Sequence, residues 1–530
     1  MARLLHELIT EQADRCPNAV ALVHRQTTLD YAALVRQVAA AARGLLALGL
    51  NRGERVAIYL PKQEETVAAL FGTALAGGVF VPVNPLLKPE QVAYILRDCN
   101  VRILVASRGR ADSLESLLPD CPDLHSLILV DAASPPTAHA HHLQVLGWPA
   151  LLALDETRPP ARIIDLDMAA ILYTSGSTGK PKGVVLSHGN LLAGASSVAE
   201  YLGNRADDRI LAILPFSFDY GLSQLTTAFL AGARAVLMDY LLPRDVATMV
   251  AREGITGLAA VPPMWVQLAP LKWPRAAVDS LRYLTNSGGA MPRATLAALR
   301  RSLPKTTPYL MYGLTEAFRS TYLPPAEIDR RPDSIGKAIP NAEILVVRED
   351  GTPCAPGEPG ELVHRGALVA LGYWNDPAKT AERFRPAPGQ PPGLPVPELA
   401  VWSGDTVRAD EEGFLYFIGR KDDMIKTSGY RVSPTEIEEV LYSSGQAAEA
   451  AALGIPHPAL GQAIVAVIKP LRDAFNENGL INHCKQHLPN FMTPLQIIAY
   501  PTDLPRNPNG KIDRKRLVEE LRDRFQEAVS

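Results

Sequence analysis

The sequence is poor in cysteine. Five residues in 530 (Cys16, Cys99, Cys121, Cys354 and Cys484) are odd in number, widely spaced and never in a CxxC pair. That excludes a disulfide scaffold or a zinc cluster as the organising element and fits a reducing cytoplasm. Excess charge of one sign is also missing. The 53 basic and 56 acidic residues leave a net charge of −3, so a nucleic-acid partner is not expected. No run of about 18 apolar residues occurs, so no stable membrane insertion is expected. The N-terminal apolar run is broken by His6, Glu7, Glu11 and Asp14, which makes it an amphipathic helix rather than a signal peptide.

Apolar material is plentiful, at 47% hydrophobic against 21% charged residues. The length suits several folding units, or one large unit and a smaller one. Runs such as RVAIYL, VFVPV, VRILVAS and ILAILPF alternate with helical stretches such as LDYAALVRQVAAAARGLLALGL and EETVAALFGTALAGG. Strand–helix alternation predicts an α/β fold with helix-covered parallel or mixed sheets. Residues 131–161 and 385–398 are rich in proline and predict surface excursions. The text between them becomes all-β, and beyond Phe414 it reads as a small α+β unit ending in a charged helix over 511–528. The expected division is 1–419, with a β-rich subdomain over about 336–419, and a mobile C-terminal domain over 420–530.

One segment carries most of the chemistry. After the apolar strand MAAIL come Thr174, Ser175, Gly176, Ser177, Thr178, Gly179, Lys180, Pro181 and Lys182. Glycines let backbone N–H groups approach an anion, and hydroxyls and lysines add donors and charge. This suits a polyphosphate. The spacing is not the GxxxxGK[ST] of a P-loop, which disfavours a kinase-like, ADP-forming NTPase.

The loop and several later segments resemble the adenylate-forming superfamily of acyl-CoA synthetases, carrier-loading adenylation domains and luciferases. Tyr312-Gly313-Leu314-Thr315-Glu316 is similar to its second nucleotide motif. Trp402-Ser403-Gly404-Asp405 resembles its ribose motif, with the first two positions altered. Gly419 to Lys426, with Gly429-Tyr430-Arg431, resembles the hinge motif, and Pro505 to Arg514 the C-terminal lysine motif. In wording, the chain most resembles an AMP-forming acyl-CoA ligase group associated with exosortase systems, with prolyl-carrier-protein ligases as near relatives.

The resemblance implies roles. Thr174 to Lys182 would hold the β- and γ-phosphates of ATP. Thr315 would contact the α-phosphate and Glu316 would ligate Mg²⁺, a hard ion suited to carboxylate and phosphate oxygens. Tyr312 and the strip Gly288-Gly289-Ala290 would flank the adenine. Asp405 would take the ribose, with Arg420 assisting. Lys511 would stabilise charge as carboxylate and α-phosphate meet. Rotation about Asp422 would then bring Gly429 in for a thiol. His188 joins this set as a positioning or packing group, not as an acid or base.

The implied activity is AMP-forming ligation of a small carboxylic acid to CoA. The alternative is a stand-alone amino-acid carrier-protein ligase, whose carrier would be a separate partner. Asp219 divides the two. It is either the counter-charge of a substrate ammonium or the N-cap of the helix GLSQLTTAFLAG.

Overall fold

The structure is a computed structural model that describes residues 2–132, 143–156, 161–174, 181–391, 393–420, 424–427, 430–457, 460–471, 475–488, 490–507 and 510–525. Within them the architecture is α/β, built on three sheets.

The first sheet has eight strands. Its middle is parallel: Val79–Pro82, Arg55–Tyr59, Val101–Ala106, Ser126–Leu129 and Gln144–Gly147 lie side by side. At the other end Met168–Thr174 forms an antiparallel pair with Lys182–Ser187, and Gly372–Tyr373 adds to its edge. The second sheet has 14 strands. It runs in parallel from Val20–His24 through Arg209–Ala212 and Tyr283–Asn286 to Thr307–Tyr312, then turns antiparallel. Ser334–Ala338 pairs with Thr321–Leu323 on one side and Leu415–Arg420 on the other. The β-rich stretch is thereby continuous with the second sheet.

Helices seal these sheets because their apolar residues recur at helical spacing. The helix Tyr31–Ala47 starts where the Asp30 carboxylate accepts from the Ala33 N–H, and it buries Leu34, Val38, Ala41 and Leu45. The helix Glu64–Leu75 packs on it so closely that a Cβ at Gly72 would come 2.9 Å from the Ala41 Cβ. Beneath them Phe71 meets Phe229 edge to face, at 5.4 Å between centroids, in a core shared by both sheets. Truncating either ring there would cost about 3–5 kcal/mol.

The third sheet holds five strands, all within residues 425–499. Its long strands Ala447–His457 and Gly461–Pro470 alternate their faces. Ala450, Ala452, Ile464, Ala466 and Ile468 pack against the helices Pro434–Ser443 and Glu477–His487. Ala451, Leu453, Ile455, Val465 and Val467 face Leu517 of the helix Arg514–Leu521.

Two sequence expectations need correction. The charged helix expected over 511–528 spans only Arg514–Leu521. Asp513 caps it by accepting from the Arg516 N–H, and the bridge between Arg506 and Ile512 holds Lys511 outside it. Within the excursion expected over 131–161, Gln144–Gly147 is an edge strand and Trp148–Ala153 a helix. His139, His141 and His142 lie outside the described residues. No described helix is long and apolar enough to cross a membrane. All five cysteines are unbridged, and Cys99, Cys121 and Cys484 are buried.

Candidate active site

The functional residues converge on the ends of the strands Met168–Thr174, Tyr283–Asn286 and Thr307–Tyr312. Thr174 ends the first strand and lies opposite Lys182. Ser175, Gly176, Ser177, Thr178, Gly179 and Lys180 lie outside the described residues, so the expected phosphate loop is seen only by its two posts. Lys182 Nζ sits over the Tyr373 ring, 5.2 Å from its centroid. The Tyr373 hydroxyl donates to Glu316 Oε1 at 2.5 Å. Burial lowers the Lys182 pKa, and Lys379 and Arg383 lower it further, while Glu316 and Asp376 raise it. These groups set three cations among two carboxylates, of which Asp376 is already paired with Lys379 at 2.8 Å. Among the described residues nothing hydrogen-bonds Glu316 Oε2, and no three acidic, histidine or cysteine side chains cluster as a metal site. A single carboxylate with an open oxygen fits Mg²⁺ shared with substrate phosphates better than a protein-only cage.

Thr315 opens a short 3₁₀ turn, Thr315–Ala317, after Leu314. Its hydroxyl donates to Asp219 Oδ1 at 3.1 Å. Asp219 is the first residue of the helix Asp219–Ala231, whose N-cap is Phe218 without a side-chain cap bond. The capping role weighed for Asp219 is therefore not what the fold uses, because its carboxylate is drawn across to Thr315. Asp219 is 3% exposed. Burial pushes its carboxyl pKa up, against the pull of Arg319, Thr315 and Lys511.

Gly288 follows the strand Tyr283–Asn286 at φ +81°, a conformation that glycine tolerates. A Cβ there would lie 3.7 Å from Phe218 and 3.8 Å from Lys511 Cε, so the C-terminal lysine reaches this strip. Gly289 accepts from the Asn286 side chain at 2.9 Å, and Ala290 follows in the same turn. Asn286 Oδ1 is a buried acceptor with no partner among the described residues, which suits a ligand donor. Lys511 is exposed by area. The surrounding protein nevertheless lowers its pKa, Arg420 lowers it further, and Asp219, Asp405 and Glu316 raise it. Because the residue stays wetted, the shift describes the field in the cleft and carries no stability figure.

At the far end Asp405 accepts from the Tyr312 hydroxyl, and Arg420 Nε lies 3.0 Å from its Oδ1. Burial raises the Asp405 pKa, and Arg420 and Tyr312 are the main opposing influences. Gly404, at φ +68°, brings backbone against Arg383: a Cβ there would lie 2.7 Å from Arg383 Nη1. Asp405 and Tyr312 were expected to serve ribose and adenine separately, yet here they bond each other.

His188 is 1% exposed. Its Nδ1 accepts from the Leu5 N–H at 3.0 Å, and burial lowers its pKa to about 4. It packs as a neutral group between the Leu5 backbone and the helix His188–Leu202. Asp422 and Gly429 lie outside the described residues. Sequence reasoning missed Arg319, Tyr373, Lys379 and Arg383. No local pattern read from the sequence marked them.

Fold and site together present a charged cleft suited to an anionic, phosphate-bearing ligand. The comparisons place the chain more narrowly. The AMP-binding enzyme model matches residues 9–374, and the AMP-binding enzyme C-terminal domain matches 436–511. The first match covers more than half of the chain, and the chain belongs to this adenylate-forming family. It is 30% identical to an L-proline–[L-prolyl-carrier protein] ligase from Pseudomonas fluorescens, over 98% of this chain and 99% of that one. It is 29% identical to a long-chain-fatty-acid–CoA ligase from Salmonella typhimurium, over 98% and 94% respectively. Two linear gramicidin synthase subunits from Brevibacillus parabrevis also match, but the chain spans only 10% and 6% of their lengths. The o-succinylbenzoate CoA synthetase of Bacillus subtilis, in complex with ATP and magnesium ion, superposes with a TM-score of 0.81. It is 26% identical, over 96% of this chain and 98% of that chain.

Proposed function

We propose that the protein activates a small carboxylic acid with ATP and transfers the acyl group to CoA. The carboxylate oxygen attacks the α-phosphorus, pyrophosphate leaves, and an acyl-adenylate forms. The thiol sulfur then attacks the acyl carbonyl and AMP leaves. The observation that carries this reading is the approach of Lys511 to Gly288, in the field of Asp219, Asp405 and Glu316. A cation placed there stabilises two anions as they meet, and it needs no protein nucleophile.

In this reading Thr315 orients the α-phosphate, and Thr174, Lys182 and the loop between them hold the outer phosphates. Glu316 holds Mg²⁺, which would neutralise phosphate charge. Asp405 exchanges Tyr312 or Arg420 for ribose hydroxyls. Unit 420–530 turns about Asp422, so that Lys511 withdraws and Gly429 enters beside the thiol arm. The two long relatives with CoA-ligase and carrier-ligase names support an acid–thiol ligase in general.

A second reading has one observation in its favour. Asp219 is buried and does not cap its helix, so it is available to an ammonium. The substrate would then be an amino acid and the thiol a separate carrier protein. The test is ATP-dependent pyrophosphate release on fatty, aryl and amino acids including proline, with and without CoA. A simple acid whose turnover rises with CoA supports the first reading. A signal confined to an amino acid and indifferent to CoA supports the second. Gly429→Leu should impair thioester formation more than adenylation, and equal loss of both half-reactions would sink the rotation.

A further inference from the structure

Arg319 is 2% exposed, which makes it one of the largest fully buried side chains in the protein. Its Nη1 donates to Ser287 Oγ at 3.2 Å, and its guanidinium carbon lies 4.7 Å over the Tyr220 ring. Nε and Nη2 are buried and have no partner among the described residues. Arg319 also forms no ion pair among them. Buried charges are normally paired, because desolvating a cation is costly.

Which donors are open matters. Nε–H and Nη2–H form one edge of the planar guanidinium, the two-pronged face that matches a carboxylate bidentately. The remaining Nη1 is the one held by Ser287, so the side chain is anchored at one corner and open along one edge. Arg319 lines a cavity of about 20 Å³, room for about one water, together with Tyr220, Gln224, Thr285 and the apolar Val198, Leu202 and Met311, so a substrate would have to widen it. Tyr220 and Thr285 are already bonded to each other, hydroxyl to hydroxyl at 2.6 Å. Ser287 directly precedes Gly288, where Lys511 arrives. The anchored corner of Arg319 is therefore bonded to the residue next to the strip that Lys511 reaches.

We infer that the acid this enzyme activates carries a second carboxylate, received by the Nε–Nη2 edge of Arg319. The inference rests on the acid-activating reading above and names its substrate class as dicarboxylic. It is independent of whether an amino group is also present for Asp219.

The experiment compares matched pairs by ATP–pyrophosphate exchange: succinate against butyrate, glutarate against valerate, and aspartate against leucine. Wild type should favour the dicarboxylate of at least one pair by about a hundredfold in kcat/KM, because a site built to bond a polar group rejects the analogue lacking it. Arg319→Met should collapse that ratio to about tenfold or less. Arg319→Lys, which keeps the charge and loses the edge, should also reduce it, and serves if the first variant does not fold. Melting temperature supplies a readout without turnover: the preferred dicarboxylate should raise it in wild type and leave it unmoved in Arg319→Met. Three outcomes would overturn the inference. Exchange with monocarboxylates and no preference for their partners means that a buried water suffices for Arg319. Equal loss on both members of every pair, with a lower melting temperature, means that the arginine is structural. No exchange and no dicarboxylate-dependent melting shift means that the pocket does not take this class. If no acid supports exchange while a dicarboxylate still stabilises wild type alone, the ligase reading fails and the dicarboxylate site stands.

Discussion

The cleft contains two buried aspartates in opposite circumstances. Asp405, at the nucleotide end, has a donor or cation at each oxygen, from Tyr312 and Arg420. Asp219, on the other side, has one hydroxyl, from Thr315, and a nearby arginine whose Nε and Nη2 are unmatched among the described residues. The nucleotide end is the more nearly matched, although Asp405 Oδ1 faces the Arg420 cation without a hydrogen bond among them. The acid end has unmet hydrogen-bonding capacity, which is the mark of a site completed by its ligand. On the proposed reading, the difference means that the nucleotide side relies on groups that already pair with one another, and the acid side on a few uncompensated atoms.

That contrast can be tested. Lys511 serves both ends, so Lys511→Ala should have the largest effect, lowering pyrophosphate exchange by about 10²–10³-fold while ATP still binds by calorimetry. Unchanged exchange would remove the lysine from the first half-reaction. Asp405→Asn should act at the nucleotide end alone, raising the KM for ATP by about tenfold to a hundredfold. An equal rise in the KM for the acid would erase the distinction between the ends. Asp219→Ala should act at the acid end alone. It should cost an amino acid about a hundredfold in kcat/KM and another acid less than about threefold, read on the same acid panel. Loss of ATP affinity in that variant would show the two ends to be one coupled site.

The smallest effect lies outside both ends. His188 has a pKa near 4 in the folded chain, against an ordinary value of 6.5. Below pH 6.5 the unfolded chain therefore takes up a proton that the folded one refuses. Stability is lost as pH falls from about 6.5 to about 4, by ~3 kcal/mol at most from this residue. Thermal unfolding of His188→Gln should show a shallower decline over that window. An identical slope would mean that the histidine is silent.

Much of the nucleotide end was legible because its ligand is met by contiguous residues. Tyr312, Thr315 and Glu316 come from one pentapeptide, and Thr174 and Lys182 from one hairpin. Glycine spacing alone announces backbone that approaches an anion. The acid end was not legible for the opposite reason. Asp219, Ser287 and Arg319 come from a helix start, a strand end and the turn after a 3₁₀ segment, with no local pattern joining them. Asp219 read equally well as a cap, since a carboxylate before an apolar helix is good capping chemistry. Lys511 was marked by its motif, but a helix was drawn through it because the charged run to 528 has helical composition. Asp513 and the Arg506–Ile512 bridge overrode that composition.

By itself the sequence determined the α/β class, the order of the motifs and the chemistry of their residues. Periodicity and residue type act locally, and they survive without knowledge of what lies across the chain. Only the tertiary structure decided that Tyr312 would meet Asp405, that the Asp219 carboxylate would accept from Thr315 rather than cap a helix, and that Arg319 would be buried with one edge unmatched. Those outcomes depend on which strands neighbour one another and how deeply each end is sealed from water. Burial and partner choice are properties of the packed whole.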